Sequence, residues 1–258
     1  MTIPQISLHR TAGLARANAT LVLRNRMTLV YAVVVPLLPL GLLLVGDTGS
    51  EASGAVAVVS ALMMAALFPV YYNLLSHLVT RRDELVLKRL RTGESTDADI
   101  IVSLALPGLV VAVATSVVAV PIAVAFGQDP PLNALLYALT VVVTLLVFAA
   151  FACWTAAWTR NAEAAQMTSM PVIVLAILGQ VSVGFPEDVR RWTDLTPGAA
   201  MTDLVRVSWF GFDTGDTERT LDFNDTWAVA SEPMLVLAAW AVLAVWLARR
   251  SMRWEPRS

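Results

Sequence analysis

Two histidines, His9 and His77, and one cysteine, Cys153, are the only His and Cys residues in the 258-residue chain. They lie far apart in sequence, so no metal-binding Cys/His spacing is present, and one cysteine allows no internal disulfide. No His-Glu-x-x-His, no Gly-x-Ser-x-Gly and no Gly-rich phosphate loop ending in Gly-Lys-Ser/Thr occurs either. The expectation is a chain without a catalytic constellation or a nucleotide site of its own. It binds no metal and no cofactor, and any ATP chemistry must come from another chain.

The densest charged segment begins at Thr80 and includes Arg81, Arg82, Asp83, Glu84, Lys88, Arg89 and Arg91, with Gly93 beyond. Thr80 can cap a helix whose first turn holds Asp83 and Glu84, where acids suit the helix dipole. Glu84 and Lys88 are spaced i, i+4. Basic residues fill the last turn, and Gly93 suits the stop. Leu87 and Leu90 form an apolar stripe. The spacing predicts a short amphipathic helix over residues 80–95. It is either a solvated loop that enforces topology or a docking element for a cytoplasmic partner.

A second group is polar but lies within apolar runs: Tyr72, Asn73, Thr140, Thr144, Gln166 and Gln180. Ser and Thr in membrane helices bond their own backbone, and Asn or Gln join neighbouring helices. The other reading is a substrate path between helices. Tyr71, Tyr72, Trp154 and Trp158 are read as an interfacial aromatic belt or as the lining of an apolar path.

The elements that position these residues follow from where charge is missing. The chain is 57% hydrophobic and 15% charged, with a mean hydropathy of +0.67. Soluble domains average about 25% charged, so the composition excludes a disordered chain and argues against an ordinary water-soluble enzyme. Six weakly charged or uncharged runs lie at residues 27–46, 54–78, 100–126, 131–158, 164–185 and 230–249. A helix needs about 20 apolar residues to cross a bilayer. Lipid offers no partners to backbone groups, so β-branched stretches such as Val141 to Val143 are expected to be helical too. The runs do not alternate, which excludes a β-barrel. Pro36, Pro39, Pro69, Pro107, Pro121 and Pro171 fall within the spans. The fold class expected is an all-α integral membrane protein with six transmembrane helices.

Of the 18 basic residues, 14 fall on one side of that topology and 4 on the other. The positive-inside rule puts both termini in the cytoplasm. Residues 1–26 read as a cytoplasmic interfacial helix, with Leu8, Leu14, Leu21 and Leu23 among arginines. Residues 186–229 form an extracytoplasmic loop, with a short outer helix from Ala199 to Trp209 before the sixth span. Residues 186–232 carry a net charge of −6. No acidic or basic residue lies deep in a span, which argues against an ion-coupled carrier. A formal charge of −2 argues against nucleic-acid binding; the lipid bilayer is the expected surrounding.

Arg82-Asp83-Glu84, then Lys88-Arg89-Leu90-Arg91-Thr92, together with Gly184-Phe185-Pro186, Leu195-Thr196-Pro197 and Asp203 to Arg206, resemble the motifs of type 2 ABC-transporter permeases, the exporter class. The resemblance covers nearly the whole chain. Leu85-Val86 departs from the usual Gly-Thr or Gly-Val after the acid, and Thr92 is not followed by Pro. The resemblance implies a six-span permease in a bacterial inner membrane, paired with a second permease subunit as homodimer or heterodimer and driven by cytoplasmic ATPase subunits that bind ATP and Mg. It makes residues 80–95 a coupling helix in which Asp83, Glu84, Leu87, Lys88, Arg89 and Leu90 dock the ATPase. It also implies export, of a drug, antibiotic, peptide or lipid. The apolar, uncharged spans favour a hydrophobic or amphiphilic cargo. A membrane scaffold or immunity protein that binds an amphiphile without ATP is the other class compatible with the sequence, and a lipid-modifying enzyme is a third.

Overall fold

The computed structural model describes residues 12–16, 18–20, 26–44, 49–84, 96–181, 185–213 and 218–251. Residues 12–16 and 18–20 are helical. The first apolar run gives α1 (Arg26–Leu37), which tightens into a 3-10 helix at Leu38–Leu44. Pro36 and Pro39 flank the change, and a proline ring removes a backbone donor and crowds the preceding turn.

The second run forms one rod in three parts. These are α2 (Glu51–Ala65), a π-helical segment (Ala66–Tyr72) and α3 (Asn73–Asp83). Pro69 sits inside the π segment. The wider turn absorbs a residue that cannot donate, so the rod continues instead of breaking. Opposite Pro69 stands Gly108, where an added Cβ would overlap the Pro69 carbonyl. Two backbones therefore touch at the π segment, as small residues permit between membrane helices.

The third run is α4 (Asp97–Ala125). A capping box starts it: the Thr96 hydroxyl accepts from the Asp99 amide at 3.1 Å, and the Thr96 amide donates to Asp99 Oδ2 at 3.0 Å. Pro107 and Pro121 lie inside α4 without ending it. The fourth run is α5 (Ala134–Trp158), capped by Asn133, whose side-chain oxygen accepts from the Leu136 amide at 3.0 Å. The fifth is divided into α6 (Ala164–Thr168) and α7 (Met170–Val181), with Pro171 just past the break. After it come α8 (Glu187–Thr193), α9 (Pro197–Val205) and a second π segment (Arg206–Phe210), which ends at Gly211 with a left-handed φ of 67°. Finally come α10 (Asp225–Val229) and α11 (Ser231–Ser251). Among the described residues the only β pairing is a lone bridge between Phe212 and Arg219.

Among the described residues four helices are long and apolar enough to cross a membrane: Glu51–Asp83, Asp97–Ala125, Ala134–Trp158 and Ser231–Ser251. The first and fifth runs give shorter apolar helices, Val30–Leu44 and Met170–Val181. The chain is a multi-pass membrane protein. Its rod Glu51–Asp83 is the centre of the bundle and Ser231–Ser251 its rim, since 72% and 11% of their apolar windows are buried inside the protein. The last helix packs along α5.

Two expectations change against this fold. The sequence places a helix start at Thr80, but α3 runs on through Asp83, with Glu84 as its C-cap. Residues 85–95 lie outside the described residues. The outer helix expected at Ala199–Trp209 starts earlier, at Pro197, because the Thr196 hydroxyl caps it by accepting from the Ala199 amide at 3.2 Å; from Arg206 it widens into the π segment.

Candidate functional site

One end of the bundle gathers the helix ends near Arg81, Arg82, Asp97, Arg160 and Arg249, and it is called here the arginine end. At that end α3 is tied to two other elements. Arg82 is only 2% exposed. Its Nη1 donates to the Ala156 carbonyl at 2.7 Å, and its Nη2 donates to the carbonyls of Thr159 and, at 3.2 Å, Arg160. These carbonyls belong to the last turn of α5 and the chain just after it. Terminal carbonyls lack intrahelical partners and carry the negative end of the helix dipole, so a buried guanidinium satisfies both needs. Thr159 extends the network: its hydroxyl donates to the Thr155 carbonyl at 2.7 Å and lies 2.8 Å from Thr168 Oγ1 on α6. One helical region earlier, the Tyr71 hydroxyl donates to Thr155 Oγ1 at 3.2 Å.

Arg81, the neighbour of Arg82, serves another side. Its Nη2 donates to Asn18 Oδ1 at 2.8 Å, and the Asn18 amide donates to the Ser103 carbonyl on α4 at 2.9 Å. Asn18 and Ala15 are buried, so the N-terminal helical segment rests on the bundle by one face.

Two cavities open along the bundle. One, of about 430 Å³, is lined by Tyr31, Ala32, Phe68, Pro69, Tyr72, Asn73 and Ser76, beside the first π segment. The other, of about 370 Å³, lies toward the opposite end, between α2, α7 and α9; Ser60, Gln180, Thr202 and Arg206 give it a polar side, and Val56, Val59, Val181 and Phe212 an apolar one. Gln180 Nε2 reaches Ser60 Oγ at 3.5 Å across that cavity.

The far end is closed by α9 and its π segment. The Leu132 and Asn133 amides donate to the carbonyls of Trp209 and Ser208 at 3.0 and 2.8 Å. Trp209 Nε1 donates to the Asp129 carbonyl at 2.9 Å, and the Asn133 side chain donates to Thr226 Oγ1 at 2.9 Å. The residues at 197–210 are buried almost throughout, so this part of the expected outer loop is a packed cap. α9 meets α7 at backbone distance. A Cβ on Gly198 would overlap the Ala176 carbonyl, and one on Gly179 the Ala199 amide. Burial pushes the Asp203 carboxyl on α9 up to about 6; Arg206 and Arg190 oppose the rise, while Asp194 and Glu232 add to it.

Of the sequence-derived path residues, Tyr72 and Asn73 share the first cavity and Gln180 lines the second. Thr140 and Thr144 are fully buried and line neither; the Thr140 hydroxyl donates to its own helix at Leu136. Gln166 is exposed on α6. Of the docking residues, Asp83 and Glu84 are exposed at the arginine end, whereas Leu87, Lys88, Arg89 and Leu90 lie outside the described residues. The aromatic belt is partly a packing feature: Tyr71 is buried, and Trp154 packs against Phe151 and Trp158. Sequence reasoning missed Arg82, Asn18 and Arg206 as site residues. Arg82 carries a signal in retrospect, an arginine at the boundary of a long apolar run. Arg206 stands in the Asp203 to Arg206 motif, though nothing there marks it as lining a cavity; Asn18 carries no signal, because its partners Arg81 and Ser103 are remote.

Residues 9–186 match the family model described as ABC-2 type transporter. No curated protein matches the chain.

Proposed function

Since the chain belongs to the ABC-2 type transporter family and is a membrane component of transport, we propose that it is the permease subunit of an ATP-driven exporter for a hydrophobic or amphiphilic cargo. The proposed topology has six spans. The two short apolar helices, Val30–Leu44 and Met170–Val181, join the four long ones. The arginine end faces the cytoplasm, because basic residues are retained on that side. A second permease subunit completes the pathway, and two cytoplasmic ATPase subunits bind ATP and Mg.

The observation that carries the cargo class is the first cavity. It lies against the π segment and combines aromatic and aliphatic walls with two small polar groups, Asn73 and Ser76. Ligand sites are mostly apolar with a few orienting polar groups, and an uncharged wall suits an amphiphile better than an ion. In this reading ATP binding draws the ATPase pair together, the docking segment at 80–95 follows, and the bundles rock as rigid bodies.

The test is capture of tagged protein in mild detergent from the cells that make it, followed by an ATPase assay for a co-purifying P-loop ATPase. The expected result is a complex lost in Leu87→Asp and Leu90→Asp. Capture of the permease alone, with ATP and vanadate present and in several detergents, refutes the ATP-driven reading.

A further inference from the structure

This inference rests on the permease reading above. We infer that Arg82 is the positioning residue that carries movement of the docking segment into the fourth and fifth apolar helices, through Thr159 and Thr168. The docking segment is joined by the chain itself only to α3 and α4. Motion of the ATPase therefore reaches α5, α6 and α7 through the helices and side chains that pack against them, and Arg82 is the polar contact nearest the docking segment. Arg82 stands one residue before the end of α3 at Asp83, and it is buried against α5.

Its guanidinium spans three carbonyls, those of Ala156, Thr159 and Arg160. The planar fork fixes direction as well as distance, which a lysine ammonium does not. From Thr159 the contact passes hydroxyl to hydroxyl: the single Thr159 proton serves the Thr155 carbonyl, so Thr168 Oγ1 donates to Thr159 Oγ1 at 2.8 Å. Tyr71 to Thr155 is a second fastening of the same rod to the same helix. Two fastenings along one rod make Glu51–Asp83 and α5 a single lever. Arg81, by contrast, grips the N-terminal segment and α4 through Asn18. Adjacent arginines thus divide the end of one helix between two sets of neighbours.

The experiment is hydrogen–deuterium exchange on the complete permease–ATPase complex, with and without ATP plus vanadate. In the native complex, residues 80–95 and 159–168 are both expected to change exchange on trapping. In Arg82→Gln the response at 80–95 is kept and the response at 159–168 is lost, and Arg82→Lys restores it only in part. Arg82→Gln leaves carbonyls unpaired and can fail to assemble, so Thr159→Val and Thr168→Val are measured beside it. They remove the hydroxyl contact without touching a charge and are expected to lose the response at 164–168 alone. A role confined to stability would lower protection in both nucleotide states and leave the difference between them intact. A native-sized response at 159–168 in the valine variants and in Arg82→Gln overturns the inference. No response at 80–95 in the native complex overturns the permease reading itself, and the inference with it.

Discussion

The crossing of α7 and α9 invites a quantitative test. Gly198→Ala adds one methyl where the Ala176 carbonyl already stands, and Gly179→Ala adds one against the Ala199 amide. Cβ atoms essentially never come within 3.0 Å of other heavy atoms. Both obstacles are backbone, so neither can rotate away. The helices must part by roughly an ångström in an interior packed to crystal density. Such a gap forfeits about a quarter to a half of each dispersion contact along the seam. Overpacking costs about 1–3 kcal/mol where side chains adjust, and rigid backbone on both sides places these variants at the upper end. Alanine returns less than about 1 kcal/mol of helix propensity. The net loss is about 2–3 kcal/mol, which is roughly 5–10 °C in a chain of this size. The assay is the temperature at which the purified protein leaves its monodisperse peak in detergent. Gly41→Ala is the control, since nothing lies within 4 Å of its Cβ. The two variants relieve the same crossing, so the double variant is expected to cost little more than the worse single one. Melting of both singles within 2 °C of the control, or full additivity, would refute the backbone contact.

Three more outcomes are expected. Thr144 Oγ1 is buried and makes no hydrogen bond, so Thr144→Val removes a desolvated group and leaves melting equal or raised, by up to about 1 kcal/mol. Asn133 both caps α5 and donates to Thr226; stability should fall in the order Asn133, Asn133→Asp, Asn133→Ala, with alanine losing about 1–3 kcal/mol, read in the same melt. Asp203 has its folded pKa raised to about 6, so its contribution is fully present below the unfolded value and fades as pH rises through 6. Melting should therefore rise as pH falls from 8 to 5, by about 1–2 kcal/mol, and Asp203→Asn should flatten that dependence.

The long runs without charge were enough to locate the apolar helices, because lipid forces any such segment to close its own hydrogen bonds. Local chemistry also located several ends: Thr96 before α4, and Leu195-Thr196-Pro197 before α9, are caps visible in three or four letters. Proline was harder to read. Pro107 and Pro121 ride within α4, Pro69 opens a π turn, and at Pro36 and Pro171 the helices tighten or divide, since the outcome depends on the neighbour that faces each ring. The end of α3 was misread for a related reason. The charges after Thr80 read as the first turn of a new helix, yet Arg82 still belongs to α3 and is drawn inward by carbonyls 74 and 77 positions away. The path residues separate on the same ground. Tyr72 and Asn73 share a cavity with Phe68, Pro69 and Ser76, which lie three or four positions from them on the same rod, whereas Thr140 and Thr144 differ from cavity-lining threonines only in which neighbours cover them.

The closure at Asn133 has a consequence for biosynthesis. The chain that leads into α5 is held at Asp129 by Trp209 and at its cap, Asn133, by Thr226, through hydrogen bonds that reach back 80 and 93 positions. A ribosome adds about 5–20 residues per second, so this helix end is exposed for roughly 5–20 s before its last partner emerges. Until then the chain has most of its apolar helices but an open rim, with polar groups of Asn133 and Asp129 met only by water. A truncated product would keep that rim permanently. Its exposure distinguishes an unfinished chain from a finished one.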